Sequence, residues 1–197
     1  TILDNRSFKA TAQLSNAIRG GFTFFRGDKL KYGRNAGPLR PPEASWNHSG
    51  ATSLYKGEGN FVFGNNVFMT ARFATVDGGF PLTPQGGLET PYYVDDGGVA
   101  RGSYYHYETV RPQKNVSADA NFFRGRHEVK FGFGYKIADV TSTSLIPGQN
   151  GIPGVNGIVT YWNGYPTMIA EVGVWNDNTD TTGRYSNAYI GDTITWD

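Results

Sequence analysis

The feature that most constrains this chain is the rhythm of its connections. Stretches in which apolar and polar side chains alternate are joined by a turn of two or three residues, then by a segment of some twenty or more, then by a tight turn again. Alternation with period two is the mark of an extended strand with two chemically different faces. The clearest case is His127 to Val140, where Val129, Phe131, Phe133, Tyr135 and Ile137 take one face and Lys130, Gly132, Gly134, Lys136 and Ala138 the other. The strand before it is joined through Arg124-Gly125-Arg126, and Val116, Ala118, Ala120 and Phe122 alternate there with Ser117, Asp119 and Asn121. That strand begins near Tyr104, and Pro112 within it marks a bulge or a stretch already beyond the membrane.

The same pattern recurs along the chain. Val67, Met69, Ala71 and Phe73 alternate with Phe68, Thr70, Arg72 and Ala74. Their partner runs from about Tyr55 to Phe63 through Gly64-Asn65-Asn66, residues that tolerate the positive φ of a tight hairpin. Phe8, Ala10, Ala12 and Leu14 alternate with Lys9, Thr11, Gln13 and Ser15, and a turn near Asn16-Ala17 leads to a strand around Gly20 to Leu30. The last strand, Arg184 to Trp196, puts Ala188, Ile190, Ile194 and Trp196 on one face. Asp192 shares that face, which predicts a bulge there or a surface other than lipid. The long segments are Tyr32 to Ser53, Gly78 to Gly102 and Ser144 to Thr182. Seven strands ending at an open edge predict an incomplete sheet, with further strands elsewhere.

Two architectures show period two over many strands. A soluble β-sandwich buries one face in a dry core. A transmembrane barrel turns its apolar face to lipid and its polar face to a wet lumen, with short periplasmic turns and long extracellular loops. The polar face here carries Lys9, Arg72, Asp119, Lys130 and Lys136, which a dry core rejects and a lumen accepts. The expected fold is therefore all-β, residues 1–197 forming part of an antiparallel transmembrane β-barrel. Ten residues of alternation is about what a tilted strand needs to cross a bilayer. Mean hydropathy of −0.45 does not oppose this, because only alternate residues face lipid. Phe122-Phe123 and Tyr104-Tyr105-Tyr107 are expected to form the two interfacial girdles.

Composition excludes several functions. The chain has no cysteine, so it has no disulfide framework or thiolate site. A net charge of +1 gives no case for nucleic acid. His48, His106 and His127 lack metal-ligand spacing, no Gly-x-Ser-x-Gly elbow is present, and Gly132-Phe133-Gly134 lies inside a strand, where it cannot cradle a nucleotide. Neither an enzyme nor a bound cofactor is expected. The chain opens Thr-Ile-Leu-Asp, without Met or an apolar leader, which suggests a mature product or a piece of a longer chain.

Candidate ligand contacts are the long-segment residues Trp46, His48, Tyr92, Tyr93, Trp162 and Trp175, which could stack on a sugar, peptide or siderophore or pack the loops against each other. Asp95-Asp96 and Asp177-Asn178-Thr179-Asp180 offer oxygen ligands to calcium, but they fit solvated turns better than any ion-binding spacing.

Several stretches resemble a known family. Gly78-Gly79-Phe80 with Leu82-Thr83-Pro84-Gln85-Gly86-Gly87, Tyr104-Tyr105-His106-Tyr107-Glu108-Thr109 with Arg111-Pro112-Gln113, and His127 through Tyr135 look like the barrels of TonB-dependent outer-membrane receptors. The type they resemble is the Oar-like group with a carboxypeptidase-regulatory-like domain. Tyr189-Ile190-Gly191-Asp192-Thr193 is similar to a strand that a further strand follows in that group. The resemblance implies a plugged barrel of about 22 strands. It further implies import of a ligand across the bacterial outer membrane by means of the TonB system, with outer-membrane lipid and other strands or chains as partners. The alternative from another class is a structural or adhesive surface protein whose strands assemble with itself or with a partner.

Overall fold

The computed structural model describes residues 1–90, 92–95, 97–145, 157–162, 165–171 and 177–196, with backbone alone for 157–162, 165–171 and 177. In chain order the strands are β1 (Ile2–Ser15), β2 (Ile18–Arg34), β3 (Trp46–Phe63), β4 (Val67–Pro84), β5 (Tyr93–Val94) and β6 (Ala100–Arg101). They continue with β7 (His106–Val110), β8 (Gln113–Arg124), β9 (His127–Leu145), β10 (Gly157–Trp162), β11 (Tyr165–Glu171) and β12 (Asp177–Ile194). Seven ribbons lie side by side in sequence order, all antiparallel, and the fifth is broken into β7 and β8 at Arg111-Pro112. Pro112 has no N–H to give the ladder, so the break falls where the chain cannot donate. β5, β6, β10 and β11 form a small second sheet in the long connections.

The hairpins turn where the sequence predicts. Gly64 and Gly125 adopt φ of 61° and 60°, the region that a side chain disfavours and a short turn requires. The strands are much longer than the alternation suggests. β3, β4 and β12 each hold 18 residues and β9 holds 19, against about 10 needed for a tilted crossing. The extra length lies on the side of the long connections, so much of Tyr32–Ser53 and Gly78–Gly102 is ladder and not loop. Hydrophobic alternation stops where one face leaves lipid, whereas backbone pairing continues into water.

Register decides the faces, because residues directly opposite share a side. Phe133 stands level with Ala188, Ala118, Ala71, Gly59 and Gly20 across the sheet. The rows of Val129, Phe131, Phe133, Tyr135 and Ile137 make an apolar band on this outer face. Val129 to Ile137 spans eight residue steps, about 26 Å along the strand at ~3.3 Å per residue. A tilt of about 40° reduces that to roughly 20 Å, near the height of a lipid-facing band. Nothing among the described residues covers it: Phe131, Phe133 and Tyr135 are 48%, 52% and 38% exposed. A β-sandwich would require a second sheet over these rings, and among the described residues none packs there.

Both borders of the band are polar. At the turn end Asp192 stands level with Val129, in an unbroken register, and lies 2.6 Å from His127 Nδ1. No bulge moves it; it sits at the rim, paired. At the other end Lys114 and Arg184 flank Ile137, and the row above holds Asp139, Asp77, Arg26 and Arg6. The aromatic girdles differ from expectation. Phe122 joins Phe63 at the turn-end border, but Phe123 turns to the opposite face against Phe68, with centroids 5.7 Å apart. Tyr107 also faces inward, and Tyr104 and Tyr105 pack on Trp46. The outer aromatics at the upper border are Phe8, Phe24 and Tyr55, the last two 5.1 Å apart. Sequence proximity to a loop does not reveal which face a ring takes.

Candidate functional site

The inner face is built by the other half of each alternation. Lys9, Thr23, Lys56, Ala74, Asn115 and Lys136 form one row. The next row carries Glu58 and Arg72, and the one after it Asp119. All five residues predicted to face a lumen, Lys9, Arg72, Asp119, Lys130 and Lys136, share this side. Arg72 bridges two acids: its Nε lies 3.2 Å from Glu58 Oε2, and its Nη1 bonds Asp119. Lys56 Nζ reaches the same Glu58 carboxylate at 3.0 Å, and Lys130 pairs with Glu128 at 3.1 Å. Tyr189 completes the network by donating its hydroxyl to Asp119 Oδ1 at 2.8 Å.

That last bond crosses a strand. Tyr189 is on β12 and Asp119 on β8, with Gly132 of β9 between them. A Cβ at Gly132 would lie 2.7 Å from both Asp119 Oδ1 and Tyr189 Cε1. The glycine therefore clears the path that lets a tyrosine reach across its neighbour, a use of Gly in a strand where other groups approach closely. Beside the network, Lys9, Arg19, Lys56, Glu58 and Asn60 border an open hollow of about 220 Å³ on β1, β2 and β3.

The loop end of the inner face carries an aromatic roof. Its foundation is the short turn Pro42–Ala44, where Ser45 Oγ donates to Pro42 O at 2.6 Å and Gln85 Nε2 donates to Ser45 Oγ at 3.1 Å. Trp46 is 5% exposed and its indole donates to Tyr105 O at 2.6 Å. Tyr104 packs on Trp46 and on Tyr92, with centroids 4.8 and 5.1 Å away. Arg40 lies 4.5 Å above the Tyr104 ring, close enough for a cation–π contact. His48 is buried against Phe80, with centroids 5.0 Å apart, and Arg34 Nη1 is 3.0 Å from its Nδ1. Arginine only donates, so His48 Nδ1 is the acceptor and the ring is neutral. Burial, followed by the positive charges of Lys29, Arg34 and Lys31, holds the His48 pKa below its ordinary value.

The predicted loop aromatics thus divide. Trp46 and Tyr92 both pack on Tyr104 in the roof, and His48 packs on Phe80. Tyr93 lies half-buried on β5. Trp162 lies on β10, with only its backbone described, and Trp175 falls outside the described residues. Of the calcium candidates, Asp95 accepts from the backbone N–H groups of Gly97 and Val99 and from Arg101, closing the β5–β6 turn, and Asp96 lies outside the described residues. Asp177 to Asp180 lie on β12, not in a turn, and Asn178 is bonded by Thr143. Among residues with described side chains there is no cluster suited to a metal. Sequence reasoning missed Glu58, Tyr189, Arg34 and Arg40. The first two were on predicted strands and their faces followed from alternation; the others sit where alternation ends.

The fold has a solved counterpart. The crystal structure of the outer membrane transporter YddB from Escherichia coli matches with a TM-score of 0.59 and 10% sequence identity, over 98% of this chain and 25% of that one. The chain thus spans about a quarter of that protein's length. At this identity the likeness is one of fold: an antiparallel sheet of the outer-membrane transporter barrel kind. No protein-family model matches the chain, and no curated protein does.

Proposed function

We propose that residues 1–197 form part of the β-barrel of a TonB-dependent outer-membrane transporter in a bacterial outer membrane. In this reading the long extracellular connections capture a ligand, and the polar face lines its passage. The observation that carries it is the uncovered apolar band, which extends over the seven ribbons and is backed by a charged inner face. In water such a surface is an aggregation liability; against lipid it is the required solvent match. Of the loop aromatics, Tyr93, Trp162 and Trp175 are proposed as part of the extracellular capture surface, while the buried Trp46, His48 and Tyr92 brace the roof. Lys9, Arg72, Asp119, Lys130 and Lys136 are proposed as lumen lining. The TonB system supplies the energy, as the resemblance to that receptor group implies.

The test is expression of the full-length protein in a Gram-negative host. The reading expects fractionation with the outer membrane, extraction only by detergent, and ligand uptake that stops when TonB is deleted. Recovery as a soluble species without detergent would overturn it.

One observation favours a second reading. Among the described residues β1 and β12 each pair on one side only. Open edges of this length are templates for further strands. They suit a surface protein that assembles with copies of itself as well as they suit a barrel completed by its own chain. Assembly without detergent would select the second.

A further inference from the structure

The two faces of the sheet differ in charge far more than the chain's net +1 suggests. On the loop-side half of the outer face, beyond the apolar band, Asp4 and Asp28 pair with Arg6 and Arg26, and Asp77, Glu108 and Asp139 add further acids. The inner face is dominated by cations. Lys31 and Lys29 occupy successive rows near its loop end, and Arg111 leans over Phe80 just below them. Lys9, Lys56 and Lys136 share one row across the sheet. Arg72, Arg19 and Lys130 follow in the next three.

The acids on this face do not balance them. Glu58 is held by Lys56 and Arg72, Asp119 by Arg72, and Glu128 by Lys130. Lys31, Lys29, Arg111, Lys9, Lys136 and Arg19 have no acidic partner among the described residues. Rows on one face are about 6.6 Å apart, so even a row without a cation leaves a gap of only about 13 Å. The Debye length is ~8 Å at physiological salt, and the fields of successive cations overlap. A series of one sign along a confined surface concentrates the opposite ion.

We propose that this face binds and conducts a small multiply charged anion, bearing two or more carboxylate or phosphate groups. Its resting place is the hollow bordered by Lys9, Arg19 and Lys56. The hollow of about 220 Å³ is open to solvent and leaves room for a compact tricarboxylate. Lys9 and Arg19 supply charge that no protein acid claims, while Glu58 orients Lys56 and Asn60 offers a neutral donor. The inference rests on the reading that the face lines a wet passage, and adds the sign and class of what passes.

The experiment is calorimetric titration of the full-length protein, in detergent at low salt, with citrate, pyrophosphate and glucose as probes. Citrate or pyrophosphate should bind, glucose should not, and raising the salt should weaken the anion. Lys9→Gln with Arg19→Gln should weaken the anion roughly tenfold, as expected for loss of two charge-assisted contacts. Lys114→Gln with Arg184→Gln removes the same charge from the outer face and should leave binding unchanged. Equal loss in both double variants would overturn the proposal, because it would show a long-range effect of net charge and not a site. So would absence of anion binding by the wild type. Each protein is also floated with lipid vesicles. If all of them float but none binds anion, the inference fails and the membrane reading stands; if none floats, the membrane reading itself fails.

Discussion

Replacing Phe133 by Arg places a guanidinium in the middle row of the apolar band. Phe133 lies four residues from Val129 and four from Ile137, about 13 Å along the strand in either direction and roughly 10 Å in depth at a tilt of ~40°. An arginine at the midplane of a lipid-facing barrel surface costs about 2–4 kcal/mol, whereas one at the border costs about 0–1. Ile137→Arg supplies the border case, beside the cations Lys114 and Arg184 that this level already tolerates. Asn115→Arg supplies a polar-face control, expected within about 0.5 kcal/mol of wild type. The assay is urea unfolding of the full-length protein in lipid vesicles, followed by tryptophan fluorescence. The expected order is Phe133→Arg far less stable than Ile137→Arg, with Asn115→Arg near neutral. Equal costs at 133 and 137 would refute the depth argument, and a cost at 115 matching that at 133 would show that the inner face is not wet.

Gly132→Ala should break the Tyr189–Asp119 bond by occupying the ring's path, and most of its effect on urea stability should vanish in a Tyr189→Ala background. The roof should loosen as pH falls. The unfolded segment binds a proton on His48 near the ordinary value of about 6.5, while the folded roof holds that pKa lower. Stability contributed by His48 is therefore complete above that value and is lost as pH drops below it. Hydrogen exchange around residues 44–48 between pH 8 and pH 5 should show this, and His48→Gln should flatten the dependence. Asp95→Ala should speed proteolysis within residues 95–100 by removing the acceptor for Gly97, Val99 and Arg101. Asp95→Asn, which keeps the two backbone bonds, should fall between Asp95→Ala and wild type.

The membrane-crossing part of this fold was legible because lipid and water impose opposite demands on alternate residues. Val129 to Ile137 and Val116 to Phe122 announce their faces and their turns; Pro112 announces an irregularity, but not that the strand breaks there. Above the band both faces meet water or loop, and the code lapses. The continuation of β3 back to Trp46 and of β4 on to Pro84 is held by backbone pairing that leaves no period in the side chains. The roof is illegible for a further reason. Trp46, Tyr92 and Tyr104 come together from three distant stretches, and sequence gives the residue types but not their meeting. Asp192 is the instructive error: its face was read correctly, and its apparent conflict with lipid was resolved by depth and by His127, neither of which a linear pattern contains.

The central claim is that one face of each ribbon meets lipid and the other water. The absence of cysteine makes single-cysteine spin labels clean probes. Labels at 116, 118, 131, 133 and 135, against labels at 117, 121, 130 and 136, should be compared in vesicles for collision with oxygen, which partitions into lipid, and with a water-soluble nickel chelate. The account predicts oxygen contact at the first set and nickel contact at the second, reversing at each step along β8 and β9. Labels that see the nickel chelate equally on both faces, or neither collider on the phenylalanine side, would contradict it.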